Sequence, residues 1–550
     1  MSALEFLLSA LPHVNRQRLL LAVGPHSCCR LLQTSKRLFR MVASDDLLWQ
    51  RLYVEAHAFE DDKEQELVST LRARDLLRAK AAEERENELL DADEASASDV
   101  DDDLFTASHA NDQSGWQPAV LENQDRVTSN LPSPTPQRKL SSACPSLTLR
   151  DECCWWLRVF AERHAIMRNW YQNRTHLRVV RIPPQFGKIC KFSAGHGPWV
   201  TAYLDNKQLL LGYIGEMPAQ RQRTQQPRWR KLPLARAWLG RSLTGIPFAS
   251  INAKLVIAVA VYGTEDVLCA WHLSDGQPTC FVPLGHKGYV DSMLDDYAVV
   301  VPTTGACTSL PPRLFHLDTG YDYCVARHLS TTNWHLQRAD PSGPVVYSTH
   351  ERNGIVEWAL HRFSHRTAST APPIRLAGGR LELLSNLHHL THTLRIDAHR
   401  VLLNLSFFDS TSETIAIHDL NANMSRVPWS CPISGRSLRP IASEDLIIVF
   451  GQCCSVLSMK TGCMLHGMDE QIGPVLQRTL GSIIGEGAWH DAEAIRVGDL
   501  ATGAIMYSLH NTLVAKSDKR TYISAGACYI VEAFCNLPLQ MFVWDFTSRV

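Results

Sequence analysis

Residues Lys254 to Gly276 read KLVIAVAVYGTEDVLCAWHLSDG, which shows most clearly a pattern that returns through much of the chain. It holds two apolar runs of strand length, rich in Val, Leu and Ala, with a short polar turn between them. The Ser274-Asp275-Gly276 sequence that follows is typical of a tight turn. The stretch therefore predicts two neighbouring β-strands with a tight exit to an outer strand.

The same arrangement recurs from residue 178 onward, with no helix-period segment between the pairs. The other seven pairs are WVTAYLD with QLLLGYI, YAVVVP with RLFHL, PVVYST with GIVEWAL, RVLLNLSFF with TIAIHDL, DLIIVFG with SVLSMKT, SIIGEGAWH with AIRVGDL, and CYIVEAFC with QMFVWDF. From Trp271 to Trp544 the second members mostly recur at about 40–45 residues, the length of one four-stranded propeller blade. The longer step between Trp358 and His418 implies a long loop around a His-rich stretch. The pattern predicts an all-β propeller over 178–550, with eight blades, or seven if the first pair belongs elsewhere.

The N-terminal part has the periodicity of helices instead. Cys28, Leu31, Leu32, Ser35, Leu38, Phe39 and Val42 follow the three-and-four spacing of one helical face. Ser44 is suited to cap the next helix, with Asp45 and Asp46 in its first turn. Residues 4–58 are therefore predicted to form a small all-α module, and 59–90 a helical extension rich in Glu, Arg, Ala and Leu.

A linker and a second helical segment separate this module from the strands. Residues 91–149 combine an Asp-rich patch with the Ser-Pro and Thr-Pro sequence LPSPTPQRKLSS, a composition typical of disorder. The net charge of the chain is −1, but 11 acidic residues and one basic residue lie between Glu83 and Asp103. Helical periodicity returns in 150–177, which predicts a rigid stalk leading into the propeller. The chain is thus predicted to be multidomain.

Composition narrows the functional classes. No apolar run approaches the ~20 residues that span a bilayer, and the N-terminus lacks the basic start of a secretory signal. The 16 Cys are scattered singles and adjacent pairs, which favours a reducing compartment, the cytoplasm or nucleus. We therefore expect no membrane partner.

Sequences that carry chemistry are scarce. No phosphate-binding loop, nucleophile elbow or zinc-type Cys pair is present in the sequence. His388 and His392 are four apart, but the flanking pattern predicts a loop or strand rather than a metal site. GSIIGEG (Gly481–Gly487) lies between strands, with no helix to receive a phosphate. We expect no catalytic residue, no metal and no cofactor.

One basic segment bears on recognition. QRQRTQQPRWRK (Gln220–Lys231) places four Arg and one Lys around Trp229. Arg clusters bind phosphorylated or acidic peptides, and mixtures of basic and aromatic residues also bind nucleic acid. The alternative is a solvated insertion beside an outer strand, and nucleic acid is not the partner that the rest of the chain favours.

Two sets of motifs resemble known families. SAGHGPWVTAYL (Ser193–Leu204), PLGHKGYVDSM (Pro283–Met293) and Trp544-Asp545 are similar to the entry and exit motifs of WD repeats. The ordered set ALPHVNRQRLLLAV, CCRLLQTSKRLFRMV and SDDLLWQRL, covering Leu11 to Leu52, resembles the F-box. It departs from that family at His13, Asn15 and Arg16, where acidic residues are common, and at Cys28-Cys29. The strand LRVVRIP (Leu177–Pro183) is placed to pair with the last strand and close the ring.

The F-box resemblance implies a substrate-recognition subunit of an SCF-type ubiquitin ligase, which is not itself an enzyme. Its partners would be the ligase adaptor subunit, through it a cullin, and an unknown protein substrate held by the propeller. The residues implied to bury against the adaptor are Leu11, Pro12, Leu19, Leu20, Val23, Leu31, Leu32, Leu38, Phe39 and Trp49.

Physical reasoning also predicts a partner for these helices. A module of some 42 residues is too small to bury much of its own surface, yet Leu19, Leu20, Leu21 and Val23 put apolar groups on more than one side of a helix. An apolar surplus of this kind marks a docking surface. The alternative is that the surplus packs on the following helix, Glu64–Leu90. The corresponding alternative function is a non-catalytic propeller scaffold for protein or ribonucleoprotein assembly, unrelated to ubiquitin.

Overall fold

The structure is a computed structural model, and it describes the chain in segments. The described residues are 8–33, 36–57, 61–97, 154–215, 229–234, 237–238, 241–302, 311–329, 333–352, 355–364, 372–382, 388–407, 413–421, 430–433, 437–441, 444–450, 455–468, 475–480, 482–486, 494–514, 520–534 and 537–547.

Helices dominate the N-terminal region, as predicted. They are α1 (His13–Leu32), α2 (Lys36–Ala43), α3 (Asp46–His57), α4 (Asp62–Ala97) and α5 (Trp155–Tyr171). A single helical turn outside this region, α6 (Val325–His328), lies between two sheets. Helix α1 is kinked where Gly24 takes a φ of 77°, a conformation that favours glycine, and Pro25 restarts the helix. Helix α4 ends at Ala97, inside the segment predicted as linker, and 98–149 lies outside the described residues.

Beyond α5, the described residues form eight antiparallel sheets. Sheet 1 holds β2 (Ile189–His196), β3 (Trp199–Leu204), β4 (Leu209–Tyr213) and β5 (Trp229–Leu232). Sheet 2 holds β6 (Ala237–Trp238), β7 (Arg241–Ile251), β8 (Leu255–Tyr262), β9 (Glu265–His272) and β10 (Pro278–Pro283). Sheet 3 holds β11 (Gly288–Leu294), β12 (Tyr297–Pro302), β13 (Arg313–His316) and β14 (Tyr321–Asp322). Sheet 4 holds β15 (Asn333–Asp340), β16 (Gly343–Arg352), β17 (Ile355–Arg362) and β18 (Ile374–Glu382).

The second half of the chain repeats the pattern. Sheet 5 holds β19 (His388–Arg395), β20 (Arg400–Phe407), β21 (Glu413–Asp419) and β22 (Ser430–Ile433). Sheet 6 holds β23 (Ser437–Ile441), β24 (Leu446–Phe450), β25 (Ser455–Ser458) and β26 (Met464–Gly467). Sheet 7 holds β27 (Val475–Arg478), β28 (Ser482–Glu486), β29 (Ala494–Asp499) and β30 (Ile505–His510). Sheet 8 holds β31 (Arg520–Ala525), β32 (Tyr529–Phe534), β33 (Gln540–Asp545) and β1 (His176–Arg181).

The eight strand pairs read from the sequence are the two middle strands of the eight sheets. In each sheet the strands lie side by side in chain order, except that β1 completes sheet 8. Middle strands are apolar on both faces because each face packs on a neighbouring sheet. In β8, Leu255, Ile257 and Val259 join a core with sheet 3, whereas Val256, Ala258 and Ala260 join a core with sheet 1. Strand alternation thus sends every second residue to a different neighbour.

The first strand pairs with the last. Leu177 lies opposite Trp544 and Val180 opposite Met541 in the antiparallel pair β1–β33, which confirms the pairing predicted for LRVVRIP. Of the loop and the strand predicted for the His-rich stretch, the structure shows the strand, because His388–Arg395 is β19. The chain is therefore predominantly β-sheet, with a helical region at its N-terminus.

Candidate functional site

The helices on the two sides of the linker build one apolar core. Leu48, Trp49, Leu52 and Tyr53 of α3 are buried. The rings of Trp49 and Tyr53 lie 5.7 and 6.3 Å from that of Phe160, on α5. Helix α5, which the sequence presents as a stalk, therefore completes the core of the N-terminal helices.

Asp45 joins α1 to α3. Its Oδ1 accepts the backbone N–H of Leu48 at 3.1 Å and the side-chain amide of Gln17 at 2.9 Å. Nε2 of His13 lies 3.1 Å from the other carboxylate oxygen. Asp45 is thus the residue that caps α3, whereas the hydroxyl of Ser44, predicted as the cap, donates to the carbonyl of Arg40.

A buried charged cluster links α3, α4 and α5. Nε of Arg163 donates to Oε1 of Glu64 at 2.8 Å, and the hydroxyl of Tyr53 donates to Oε2 at 2.7 Å. Burial, with the Glu64 carboxylate beside it, raises the pKa of Tyr53 well above its usual range. Burial and the neighbouring Arg163 charge lower the pKa of His57 to about 3, so this histidine is neutral at neutral pH. The cluster is arranged to hold helices together, and its groups are enclosed rather than presented to a substrate.

Helix α4 is fixed to the sheets at two tight turns. Oε1 of Glu66 accepts the backbone N–H of Gly197, between β2 and β3, at 2.9 Å. Nζ of Lys63 donates to Oε2 of Glu66 at 2.8 Å and to the carbonyl of Ala525 at 3.2 Å. A Cβ at Gly526 would overlap Oε1 of Glu66, so the helix approaches this turn as closely as glycine allows.

Helix α5 is fixed to sheet 8. The indole N–H of Trp170 donates to the carbonyl of Ala527 at 2.9 Å, and its ring stacks on Phe546 at 3.5 Å. The side-chain amide of Asn169 donates to the carbonyl of Phe546 at 2.7 Å. Together α4 and α5 contact both the first and the last sheet, so the N-terminal helices are held in a set orientation to the sheets.

The ten residues that the F-box resemblance implies for adaptor binding differ in how far they are exposed to solvent. Four are buried in the chain's own core: Leu20, Leu32, Leu38 and Trp49. Leu11, Leu31 and Phe39 are half-buried, and Pro12, Leu19 and Val23 are exposed. In this conformation only the last two groups have side-chain surface to offer a partner. Docking through these residues stays a prediction.

Three further apolar side chains are exposed on the same helices. Val14 on α1 is 59% exposed, and Leu47 and Val54 on α3 are 58% and 42% exposed. Sequence reasoning missed them because the face of α3 that packs on α5 could not be distinguished from its opposite face. Helix spacing contains the signal, since Leu47 and Val54 are seven residues, or two turns, apart.

The sequences weighed for chemistry take structural positions. His388 and His392 lie on β19, and Ser482–Glu486 of the glycine-rich stretch is β28. Across the described residues, no group of three or more His, Cys, Asp or Glu side chains could hold a metal ion. No helix in the same part of the chain is long and apolar enough to cross a membrane. Of the basic segment 220–231, Trp229, Arg230 and Lys231 open strand β5, and 220–228 lies outside the described residues.

Comparison with known proteins adds the following. No family model and no curated protein matches the chain. Solved structures similar to it include the Dos1 propeller, at 12% identity over 69% of this chain and 97% of that one, with a TM-score of 0.38. The Cps50 (Swd1) β-propeller domain of Myceliophteria thermophila is 11% identical over 68% and 99%, with a TM-score of 0.32. Hsv2 of Kluyveromyces lactis is 7% identical over 63% and 90%, also with a TM-score of 0.32. The chain thus resembles β-propeller domains at a level that carries no statement about function, and the F-box resemblance rests on its motifs alone.

Proposed function

We propose that the chain is the non-catalytic substrate-recognition subunit of an SCF-type ubiquitin ligase, acting in the cytoplasm or nucleus. The N-terminal helices dock the adaptor and through it a cullin, and the sheets bind a substrate protein. Such a subunit accelerates ubiquitin transfer by raising the effective concentration of a substrate lysine near the conjugating enzyme. It needs no metal, cofactor or catalytic residue of its own.

The proposal includes a closed ring of eight blades. Its support is the contact between the first and last sheets: the N–H of Ile189, in β2, donates to the carbonyl of Pro538 at 3.3 Å. Val200 of sheet 1 and Val543 of sheet 8 also belong to one apolar core. Sheets that stack in order and meet at the ends of the series form a ring.

The observation that carries the docking role is the exposed apolar stripe of α1. Leu19 and Val23, one turn apart, are 39% and 45% exposed, although the same helix buries Leu20 and Cys28. Exposed apolar side chains grouped on one face mark an interaction site. Because α4 and α5 hold this helical unit firmly on the sheets, an adaptor bound there would have a fixed geometry relative to the substrate.

The test uses exposed residues, because substituting a buried one such as Trp49 would unfold the module. The full chain carrying Leu19→Glu and Val23→Glu is expressed in cells and affinity-purified, and adaptor and cullin are quantified by mass spectrometry. We expect the wild type to co-purify both and the double variant to lose both. The matched control is Leu76→Glu, at a side chain 71% exposed on α4, which should keep both. Circular dichroism checks that the three proteins are equally folded.

A second candidate function is a scaffold for protein or ribonucleoprotein assembly in which the N-terminal helices serve only the chain itself. It is favoured by the burial of Leu20, Leu32, Leu38 and Trp49 in the chain's own core. The same purification separates the two functions. Adaptor and cullin absent from the wild-type sample, or retained by the double variant, would contradict the ligase proposal.

A further inference from the structure

Four cationic residues and one aromatic residue lie close together where β1 meets sheet 1. Arg181, Lys188, Lys207 and Lys231 are exposed, and Phe186 among them is half-buried. Nζ of Lys231 lies over the Phe186 ring, 5.6 Å from its centroid. The indole N–H of Trp229, two residues before Lys231, donates to the carbonyl of Arg181 at 3.2 Å. We call these five residues, Arg181, Phe186, Lys188, Lys207 and Lys231, the Phe186 platform.

Hydrogen bonds make the base of the platform rigid. The N–H of Asp205 donates to the carbonyl of Lys188 at 2.9 Å, and the N–H of Lys188 donates to Oδ1 of Asp205 at 3.2 Å. The side-chain amide of Asn206 donates to the carbonyl of Phe186 at 2.9 Å. Gly187 has a φ of 98°, and a Cβ there would lie 2.8 Å from Oδ1 of Asp205. The turn at residues 186–188 is thus fixed to the turn at residues 205–206. This rigidity lowers the entropic cost of binding a ligand on the two turns.

Apart from the contact of Lys231 with the Phe186 ring, the platform's charges have no ionic partner among the described residues. None of its four cations forms an ion pair with another residue that the structure describes, whereas Lys254 is paired with Asp296 and Arg400 with Asp397. One carboxylate, that of Asp205, lies beside the platform, where it accepts the backbone N–H of Lys188, and the four cations outnumber it. A cluster of unpaired cations produces a positive potential that attracts anions.

The neighbouring sheet edge favours a polypeptide over a nucleic acid. Among the described strands, β5, which carries Lys231, pairs only with β4. An extended peptide can add main-chain hydrogen bonds along such an edge, which a nucleic acid cannot do in that pattern. Phe186, which is half-buried, adds an apolar contact beside Lys231.

We infer that the Phe186 platform binds an extended anionic segment of a partner polypeptide, with carboxylate or phosphate groups on the four cations. This deepens the proposed function, on whose substrate-binding half it rests, by naming the class of segment that the sheets recognise.

The test measures binding to the full chain by fluorescence polarisation. The probes are a labelled peptide of alternating aspartate and serine, the same peptide with phosphoserine for aspartate, one with asparagine for aspartate, and a single-stranded oligothymidylate. The platform variant carries Arg181→Gln, Lys188→Gln, Lys207→Asn and Lys231→Gln. Asparagine is used at position 207 because Lys207 has a φ of 62°, which Asn tolerates. The control variant removes the same charge elsewhere on the surface, by Lys287→Gln, Arg327→Gln, Arg352→Gln and Arg375→Gln.

We expect the wild type and the control variant to bind an anionic peptide and not the asparagine peptide, and the platform variant to bind it about tenfold more weakly or worse. Preference between the aspartate and phosphoserine peptides identifies the anion. Three results would each overturn the inference. The wild type could fail to bind either anionic peptide, or both variants could bind them equally weakly. The wild type could also bind the oligothymidylate more tightly than the anionic peptides, with that binding lost in the platform variant. Adaptor co-purification by the platform variant is scored separately, so failure here leaves the docking proposal standing.

Discussion

At the scale of single residues, Asp45 is expected to contribute more stability than its exposed neighbour Ser44. Its carboxylate caps α3 and accepts the amide of Gln17. Asp45→Ala should lower the free energy of unfolding by about 2 kcal/mol, the upper range for a lost helix cap. Ser44→Ala, which removes only a hydrogen bond to Arg40 at an exposed position, should cost less than about 0.5 kcal/mol. Urea unfolding of the two variants measures both, and equal costs would contradict the capping role of Asp45.

The role of a single residue cannot be predicted from the sequence where two neighbouring residues suit the same role. Ser44 and Asp45 are both good caps, and the sequence cannot tell which of them the chain places at the helix start. Trp49 illustrates a second limit. Helical spacing places Trp49 on the apolar face of its helix. Whether that face packs on a partner or on Phe160 depends on a contact between helices that a long linker separates in the sequence. Propensity and spacing describe a helix and not what covers it.

At the scale of elements, one indole makes the largest side-chain contact of α5 with the residues at and beside sheet 8. Trp170 is fully buried, donates to Ala527 and stacks on Phe546. Trp170→Ala should lower the free energy of unfolding by about 3–5 kcal/mol, as for other large-to-small core substitutions. Tyr171→Ala, at the neighbouring position that is 44% exposed, is the control and should cost about 1 kcal/mol or less. Denaturant titration monitored by far-UV circular dichroism compares the two variants. Similar losses of unfolding free energy would refute the anchoring role of Trp170.

Elements were predictable where period and composition agree. All eight middle-strand pairs were read correctly because Val, Ile, Leu and aromatic residues fill strands that are buried on both faces. Outer strands gave a weaker signal: β14 has only two residues, Tyr321–Asp322. Strand β19 could be predicted only as a loop or strand because histidine has little strand preference, although Leu390 and Thr393 on it are buried.

At the scale of the whole molecule, β1 connects the start of the sheets to their end. Val180 is 1% exposed opposite Met541, whereas Val179 beside it is 37% exposed. Val180→Asp should lower the midpoint of thermal unfolding strongly, because it buries a charge with no partner. Val179→Asp should change it little. Differential scanning fluorimetry compares the two variants, and equal midpoints would mean that sheet 8 does not depend on β1.

The pairing of β1 also sets an order of events during synthesis. Asn169 and Phe546, which are hydrogen-bonded, are 377 positions apart. At about 5–20 residues per second a ribosome takes roughly 20 to 75 seconds to cover that distance. Throughout this interval α5 has been made without Phe546, whose ring covers Trp170, and β1 has been made without its partner strand β33. A nascent chain of this kind displays Trp170 and Val180 to solvent until Met541 and Phe546 have been translated, and chaperones that shield apolar segments would have their longest task there.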